Sequence, residues 1–204
     1  MIQRSNTKSW CIVVQGPSDH VSEIKDSTKG YKTIFSTWVG EEDKYSTGDD
    51  VLFNAKPERI GIGNLFYQQE TTMNGLLRAK ELGFENVLKL RSDFIVKDID
   101  KLIKGLTHKL NLFFWHDYTG GYICDYVMGG KTELVAGLWK KRNDEGYTFA
   151  ERMITENFFE MKLKEDDFTF FLNKLDEKND IFWTKYDKFL SSYKADKLAL
   201  DFIK

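Results

Sequence analysis

Short polar segments follow four apolar stretches of the sequence, where buried strands are expected to end. These segments are Gln15-Gly16-Pro17, Ser36-Thr37-Trp38, Asn54-Ala55-Lys56 and Arg91-Ser92-Asp93. Ligands of open α/β sheets bind beyond the carboxyl ends of the strands. Aromatic faces can stack on a base, amides can recognise its edge, and a guanidinium with a carboxylate can hold a diphosphate. The segments therefore predict a nucleotide-diphosphate site.

Asp93 is the residue best placed to hold a metal ion. It comes just after the apolar stretch 87–90, at the expected end of a buried strand. Mg²⁺ and Mn²⁺ take carboxylate oxygens together with phosphate oxygens and water. A surface-turn or helix-capping aspartate would explain the same position equally well. For Arg91 two interpretations stay open: a bidentate contact to phosphate, or an ion pair that orients Asp93.

Several common site motifs are missing from the sequence. No GxGxxG follows the first predicted strand and no GxxxxGK[ST] occurs, which disfavours a dinucleotide oxidoreductase and a P-loop NTPase. The three histidines form no HExxH pattern, and no GxSxG indicates a nucleophile-elbow hydrolase.

Apolar segments typical of strands alternate with segments of helical periodicity. Asn64 is predicted to be the N-cap of a helix that reaches residue 82, and Asp98 or Asp100 to cap a later one. This alternation predicts an α/β fold with a mixed, mainly parallel sheet flanked by helices. Strands are predicted near residues 10–14, 31–38, 51–53, 87–90, 112–115 and 122–128, and further helices before residue 30, at 134–139 and at 149–161.

Composition narrows the class of protein further. A chain of 204 residues fits one α/β domain. Its net charge of −2 gives no electrostatic footprint for a nucleic-acid partner. Cys11 and Cys124 lie in apolar stretches, are interpreted as buried small hydrophobes, and suggest a reducing compartment. The sequence shows no signal core and no membrane span, so a cytoplasmic location is expected.

Four ordered motifs carry a family resemblance over residues 10–160. They are Val13-Val14-Gln15-Gly16-Pro17, then Phe35-Ser36-Thr37-Trp38, then Asn64 with Gln68-Gln69 and Gly75-Leu76, then Lys89-Leu90-Arg91-Ser92-Asp93. The chain resembles the WavE-type lipopolysaccharide-synthesis glycosyltransferases, whose motifs are V-x-Q-G-P, S-T-W, N-x-x-R-Q-x-x-S/T-x-x-G-L and K-x-R-x-D. It also resembles glycosyltransferase domains of large DNA viruses that build capsid glycans, which would imply the host cytoplasm.

The resemblance implies a GT-A fold, a nucleotide-diphosphate sugar donor (a UDP-sugar first) and a glycan or glycoprotein acceptor. It implies Mn²⁺ or Mg²⁺ at Asp93 as a degenerate D-x-D motif, in which Arg91 replaces the first aspartate. Tyr67 stands where the family has arginine, so no role is carried to that position. The implied donor-binding residues are Gln15, Gly16, Pro17, Thr37, Trp38, Asn64, Gln68 and Arg91.

The second half is similar in layout to galactosyltransferase-like GT-A enzymes, in which an acidic pair follows a Y-F-G-G segment. Here Tyr126-Val127-Met128-Gly129-Gly130 precedes Glu151. The resemblance makes Glu151 the first candidate for the general base that deprotonates the acceptor, and Asp125 the second. It implies inversion at the sugar carbon if one of them does so. A first-turn acid favoured by the helix dipole explains Glu151 equally well.

One GT-A domain is expected over residues 1–204. It divides into a donor half (about 1–100), an acceptor half (about 101–165) and a C-terminal helical segment (about 166–204). Two other classes stay open. A sugar nucleotidyltransferase usually has a glycine-rich basic loop after the first strand, which Gln15-Gly16-Pro17-Ser18 lacks. A non-catalytic module that binds a nucleotide or a glycan would need neither Glu151 nor Asp125.

Overall fold

The computed structural model describes residues 9–96, 98–107, 109–117, 120–141 and 149–173. Within these residues the chain forms one seven-stranded sheet flanked by helices. The strands are β1 (Trp10–Gln15), β2 (Lys32–Trp38), β3 (Asp50–Asn54), β4 (Asn86–Arg91), β5 (Leu110–Asp117), β6 (Gly120–Lys131) and β7 (Phe168–Asn173). The helices are α1 (Val21–Ser27), α2 (Leu65–Glu81), α3 (Ile99–Gly105), α4 (Thr132–Leu138) and α5 (Ala150–Glu160).

The strand order is β3-β2-β1-β4-β6-β5-β7. The neighbours β3, β2, β1 and β4 are parallel, whereas β6 is antiparallel to both β4 and β5, and β7 pairs parallel with β5. The sheet is therefore mixed and mostly parallel, as the sequence predicted. The carboxyl ends of β1, β2 and β4 share one edge, which is where ligands of such sheets bind.

Each face of the sheet carries its own apolar core. Along β1, Cys11 and Val13 belong to a cluster with side chains of α2, α4 and α5, and Ile12 and Val14 belong to a cluster with α1 and α3. Successive residues of a strand point to opposite faces, so a strand buried on both sides has to be mostly apolar. This requirement explains why the strand segments were readable in the sequence.

Helix α2 packs closely on the sheet because of Gly75. A Cβ added there would lie 2.5 Å from Cγ1 of Val13 on β1 and 3.3 Å from Cβ of Ser36 on β2. Only a residue without a side chain fits at this crossing point. The close packing fixes the start of α2 relative to the carboxyl ends of β1 and β2.

Two predictions about local structure need correction. Asn64 does occupy the N-cap position of α2, but its backbone is left-handed (φ 61°) and its side chain makes no cap hydrogen bond. The segment predicted as helical from about residue 166 begins instead with a 3₁₀ turn, Glu165–Asp167, followed by strand β7. β7 forms because an aromatic, β-branched stretch pairs with β5. The rest of that predicted segment, 174–204, lies outside the described residues.

The other predicted strands and helices are confirmed to within a few residues. Asp98 caps α3, its carboxylate accepting a hydrogen bond from the backbone N–H of Lys101 at 2.9 Å. In the part of the chain that the structure describes, no helix is long and apolar enough to cross a bilayer.

Candidate functional site

Arg91 lies at the end of β4 and contacts two carboxylates. Its Nε lies 2.6 Å from Oδ1 of Asp93, its Nη2 lies 2.7 Å from Oδ2 of Asp93, and its Nη1 lies 3.1 Å from Oδ2 of Asp125. The guanidinium carbon is 3.6 Å from the ring centroid of Tyr126. The ion pair with Asp93 was one of the two interpretations of Arg91, and it is present.

The antiparallel pairing of β4 with β6 explains why Asp125 reaches Arg91. Leu90 pairs with Val127, so the chain beyond Leu90 runs beside the residues that precede Val127. Helix α5 then packs on β6, where Oγ1 of Thr155 accepts a hydrogen bond from the backbone N–H of Ile123 at 3.2 Å. This contact places the first turn of α5, and with it Glu151, next to Asp125.

Glu151 and Asp125 form an acidic pair. Burial raises the pKa of Glu151, and the negative charge of Asp125 raises it further. The side chain of Asp125 is only 1% exposed, and among the described residues its Oδ1 has no hydrogen-bond partner. A buried acceptor of this kind is costly unless it is satisfied. Glu151 is the neighbouring side chain that can satisfy it.

The ionisation of Arg91 and Asp93 follows from their contact. Burial alone would raise the pKa of Asp93, but the hydrogen bonds and charge of Arg91 outweigh it and lower that pKa below its usual value. Burial would lower the pKa of Arg91, yet Asp93 and Asp125 raise it overall. Both groups are therefore charged at neutral pH, with side chains 22% (Arg91) and 55% (Asp93) exposed.

Lys89 lies beneath this cluster; it is the first residue of the Lys89–Asp93 motif, but no role was predicted for it from the sequence. It is fully buried, its Nζ donates a hydrogen bond to the backbone carbonyl of Asp125, and it lies 4.7 Å from the ring centroid of Trp139. Burial lowers its pKa to about 8, against the opposing charge of Asp125. The available signal was a lysine in the middle of a strand that is otherwise apolar.

Backbone hydrogen bonds tie the end of β1 to the ends of β4 and β2. The backbone N–H of Ser92 donates to the carbonyl of Gln15 at 2.8 Å, and that of Gly16 donates to the carbonyl of Ser36 at 3.1 Å. Gly16 has φ 118°, and a Cβ there would lie 2.7 Å from Oγ of Ser92. Gln15 is 3% exposed, and its Oε1 lacks a partner among the described residues, while Pro17 is exposed. Glycine is thus required at position 16, where the backbone comes close to the side chain of Ser92.

Thr37, at the end of β2, belongs to a hydrogen-bonded group that the sequence did not reveal. Its hydroxyl donates to Oε2 of Glu41, to which Oγ of Ser18 also donates at 2.9 Å. Ser18 Oγ also lies 2.9 Å from the hydroxyl of Tyr45. Burial raises the pKa of Glu41, but these hydrogen bonds outweigh it and lower that pKa. Glu41 thereby fixes the loops that follow β1 and β2.

Trp38 differs from the expected stacking residue. It is 5% exposed, and its ring centroid lies 4.8 Å from that of Tyr67 on α2. Stacking of a base on Trp38 would therefore require its surroundings to move. The family resemblance offered no role for Tyr67, and here it packs on this tryptophan.

Asn64 and Gln68 lie at the start of α2. Nε2 of Gln68 donates to the carbonyl of Gly63 at 3.1 Å, and its Oε1 has no partner among the described residues. A Cβ built on Gly63 would lie 3.4 Å from Cβ of Phe149, the residue that precedes α5. The loop before α2 therefore touches the segment that carries Glu151.

The predicted site residues thus fall into two groups. The structure brings Arg91, Asp93, Asp125 and Glu151 into one charged cluster at the carboxyl edge of the sheet. The second group surrounds the ends of β1 and β2 and the start of α2, and contains Gln15, Gly16, Pro17, Thr37, Trp38, Asn64 and Gln68.

The residues present do not fit a ready-made divalent metal site. Both oxygens of Asp93 accept hydrogen bonds from Arg91, so a cation would have to displace a guanidinium to reach them. Across the described parts of the chain, no group of three His, Cys, Asp or Glu side chains could hold a metal ion. The expected place of Mn²⁺ or Mg²⁺ is therefore taken by Arg91.

Comparison with solved structures identifies the fold. The chain is similar to a protein from Desulfovibrio desulfuricans G20 assigned as a nucleotide-diphospho-sugar transferase (TM-score 0.54, 12% identity, 83% of each chain covered). It is also similar to a 4-diphosphocytidyl-2C-methyl-D-erythritol synthase (TM-score 0.50, 12% identity, 95% of this chain and 100% of that chain covered). The fold is the GT-A, Rossmann-like fold of nucleotide-sugar transferases.

A weaker match is a glycosyltransferase involved in the glycosylation of the major capsid of PBCV-1 (TM-score 0.47, 12% identity, 80% of this chain and 82% of that chain covered). No protein-family model and no curated protein matches the sequence.

Proposed function

We propose that this protein is a glycosyltransferase that moves a sugar from a nucleotide-diphosphate sugar, a UDP-sugar first, to a hydroxyl of a glycan or glycoprotein. The observation that carries the proposal is the charged cluster at the end of β4. In it, Asp93 and Asp125 both bind Arg91, and Glu151 lies next to Asp125. A fixed cation for a phosphate leaving group and a carboxylate for an incoming hydroxyl are the two groups that sugar transfer needs.

Sequence and fold both support a nucleotide-sugar donor. The ordered motifs that resemble WavE-type glycosyltransferases end at Arg91-Ser92-Asp93, and the fold is one that nucleotide-sugar transferases use. In the proposal, the nucleoside lies near Gln15, Gly16, Pro17 and Thr37, at the carboxyl ends of β1 and β2. Asn64 and Gln68 border the same edge, and Trp38 supports it from the core.

The proposed reaction is a direct displacement. Glu151 takes the proton of the acceptor hydroxyl, the acceptor oxygen forms a bond to the anomeric carbon, and the bond from that carbon to the phosphate oxygen breaks. The electron pair leaves with the nucleoside diphosphate. A single displacement inverts the anomeric configuration. The raised pKa of Glu151 suits a base that works near neutral pH, and Asp125 is the second candidate. Metal dependence remains a prediction of the resemblance alone.

A sugar nucleotidyltransferase is the alternative reaction, because a synthase of that type shares the fold over 95% of this chain. It would join a nucleoside triphosphate to a sugar phosphate and release pyrophosphate. The loop 15–18 contains no lysine or arginine to bind a triphosphate, which favours sugar transfer. A non-catalytic module would bind the donor without turning it over.

The test combines binding with turnover. UDP-, GDP-, dTDP- and CMP-sugars are screened by thermal shift and calorimetry, with Mn²⁺ and with EDTA. Release of the nucleotide, a diphosphate or, for a CMP-sugar, CMP, is then followed for each donor that binds. Glu151→Gln should bind donor but release product at least about 100-fold more slowly. Glu133→Gln is the matched control, since Glu133 is an exposed acid in the first turn of α4. Absence of nucleotide binding, or pyrophosphate release from a triphosphate, would overturn the proposal.

A further inference from the structure

The Arg91–Asp93 contact occupies the place where a donor metal was expected. Nε of Arg91 donates to Oδ1 of Asp93 at 2.6 Å, and Nη2 donates to Oδ2 at 2.7 Å. Charge-assisted pairs with this bidentate geometry are among the strongest hydrogen bonds in proteins. A divalent ion could use Asp93 only after this pair had been broken.

The charges of the pair give the same conclusion. In a D-x-D motif, two negative carboxylates are neutralised by one doubly positive cation. With Arg91 in the first position, the guanidinium and the carboxylate of Asp93 are neutral together without any added ion. Replacing aspartate by arginine changes the charge by two units, which is also what binding a divalent cation does. The charge contributed by these two positions of the motif is therefore the same.

Arg91 is also held firmly enough to act as a fixed cation. Asp125, which is 1% exposed, binds its third N–H group, and the ring of Tyr126 lies 3.6 Å beneath the guanidinium carbon. A guanidinium has five N–H donors, so these carboxylates leave donors for phosphate oxygens. Groups fixed before the reaction stabilise developing charge without further reorganisation.

We infer that Arg91, and not a divalent cation, binds the donor diphosphate and neutralises the charge that develops on it as it leaves. The inference rests on the proposed function, and it makes Asp93 a positioning residue for Arg91 and not a metal ligand. The atoms balance as in the displacement above: the diphosphate oxygen keeps the electron pair of the broken bond, and Arg91 donates hydrogen bonds without losing a proton. Donor binding should therefore be independent of metal.

The first test uses the wild-type protein alone. UDP, GDP and dTDP, and then the sugar conjugate of the one that binds, are titrated calorimetrically in EDTA and again in Mn²⁺. We expect dissociation constants that agree within about twofold. Binding that appears only with Mn²⁺ would overturn the inference and leave the proposed function intact. No binding in either condition would overturn the proposed function, and the inference with it.

The second test uses substitutions of Arg91. Arg91→Gln should weaken nucleotide binding in EDTA by about tenfold to a hundredfold, the loss expected for a hydrogen bond to a charged group, and Arg91→Lys should weaken it less. Arg91→Asp creates a D-x-D pair and should bind nucleotide in Mn²⁺ but not in EDTA. If Arg91→Gln binds as well as wild type, the inference fails.

Arg78→Gln is the matched control. Arg78 also lies between two carboxylates, 3.4 Å from Asp50 and 3.5 Å from Glu81, but on α2. It should bind nucleotide as wild type does, and thermal melts check that all variants are folded.

Discussion

Lys89 gives the sharpest prediction about stability. Its ammonium group is fully buried, and burial lowers its pKa from 10.5 to about 8. Substitution with methionine keeps most of the length of the side chain and removes the titrating group. The free-energy difference between wild type and Lys89→Met should therefore depend on pH.

The sign follows from proton binding. Between pH 8 and 10.5 the unfolded chain holds a proton on Lys89 that the folded protein has released, so folded-state stability from this group rises with pH. Below pH 8 both states are protonated, and the full cost of burying the charge is present. Integrating between pH 7 and pH 10 gives a gain of about 2 kcal/mol for wild type relative to the variant.

Urea unfolding of both proteins at pH 7, 8, 9 and 10, followed by tryptophan fluorescence, measures this difference. Burial raises the pKa of Cys11 and Cys124 to about 12, so both stay protonated in the folded protein over this range, and their titration in the unfolded chain is common to both proteins. Lys80→Met, which removes an exposed lysine of α2, should give a difference that does not vary with pH. A difference for Lys89→Met that stays constant from pH 7 to pH 10 would refute the account of Lys89.

Three further predictions concern the base and two glycines. The kcat/KM for transfer should fall as pH decreases through the raised pKa of Glu151, and the remaining activity of Glu151→Gln should lack this acidic limb. Gly16→Ala should cost about 1–3 kcal/mol in urea unfolding, because its φ is positive and the new Cβ would meet Oγ of Ser92. Gly75→Ala should cost about 1–3 kcal/mol despite the better helix propensity of alanine, because its Cβ would overlap Val13.

Substitutions at two other glycines separate the cost of backbone strain from the cost of a close contact of the new Cβ. Gly83 has φ 82° but open space around its Cβ position, so Gly83→Ala measures the backbone strain without a clash. At Gly137 a Cβ would meet only the flexible side chain of Met161, so Gly137→Ala tests alanine in a helix without a rigid neighbour. If Gly16→Ala and Gly75→Ala cost no more than these controls, the close contacts are not what requires glycine.

Most of the sheet could be predicted from the sequence because its strands are buried on both faces. Such strands are mostly apolar, so β1 and, apart from Lys89, β4 appear as apolar runs between turn residues, and β2 is rich in β-branched and aromatic residues. β7 was missed because its pattern, Phe168 to Asn173, was assigned to a helical segment. Its state depends on pairing with β5, and local propensity does not reveal a pairing partner.

The site could be predicted only in part. Arg91 and Asp93 are near in sequence, so their contact needed no knowledge of the fold. The position of Asp125 beside Arg91 depends on β6 running antiparallel to β4, which periodicity cannot show. Glu151 came from family spacing alone. Lys89 was quoted as the first residue of a motif but was given no role, because it was treated as part of the strand and not as a charge beneath the site.

The measurement closest to the central claim is the titration of the preferred nucleoside diphosphate into wild type and Arg91→Gln. The account predicts a measurable dissociation constant for wild type in EDTA and one about tenfold to a hundredfold weaker for the variant. Equal affinities for the two proteins would contradict a diphosphate site at Arg91, and no affinity for any nucleotide would contradict a nucleotide-sugar transferase altogether.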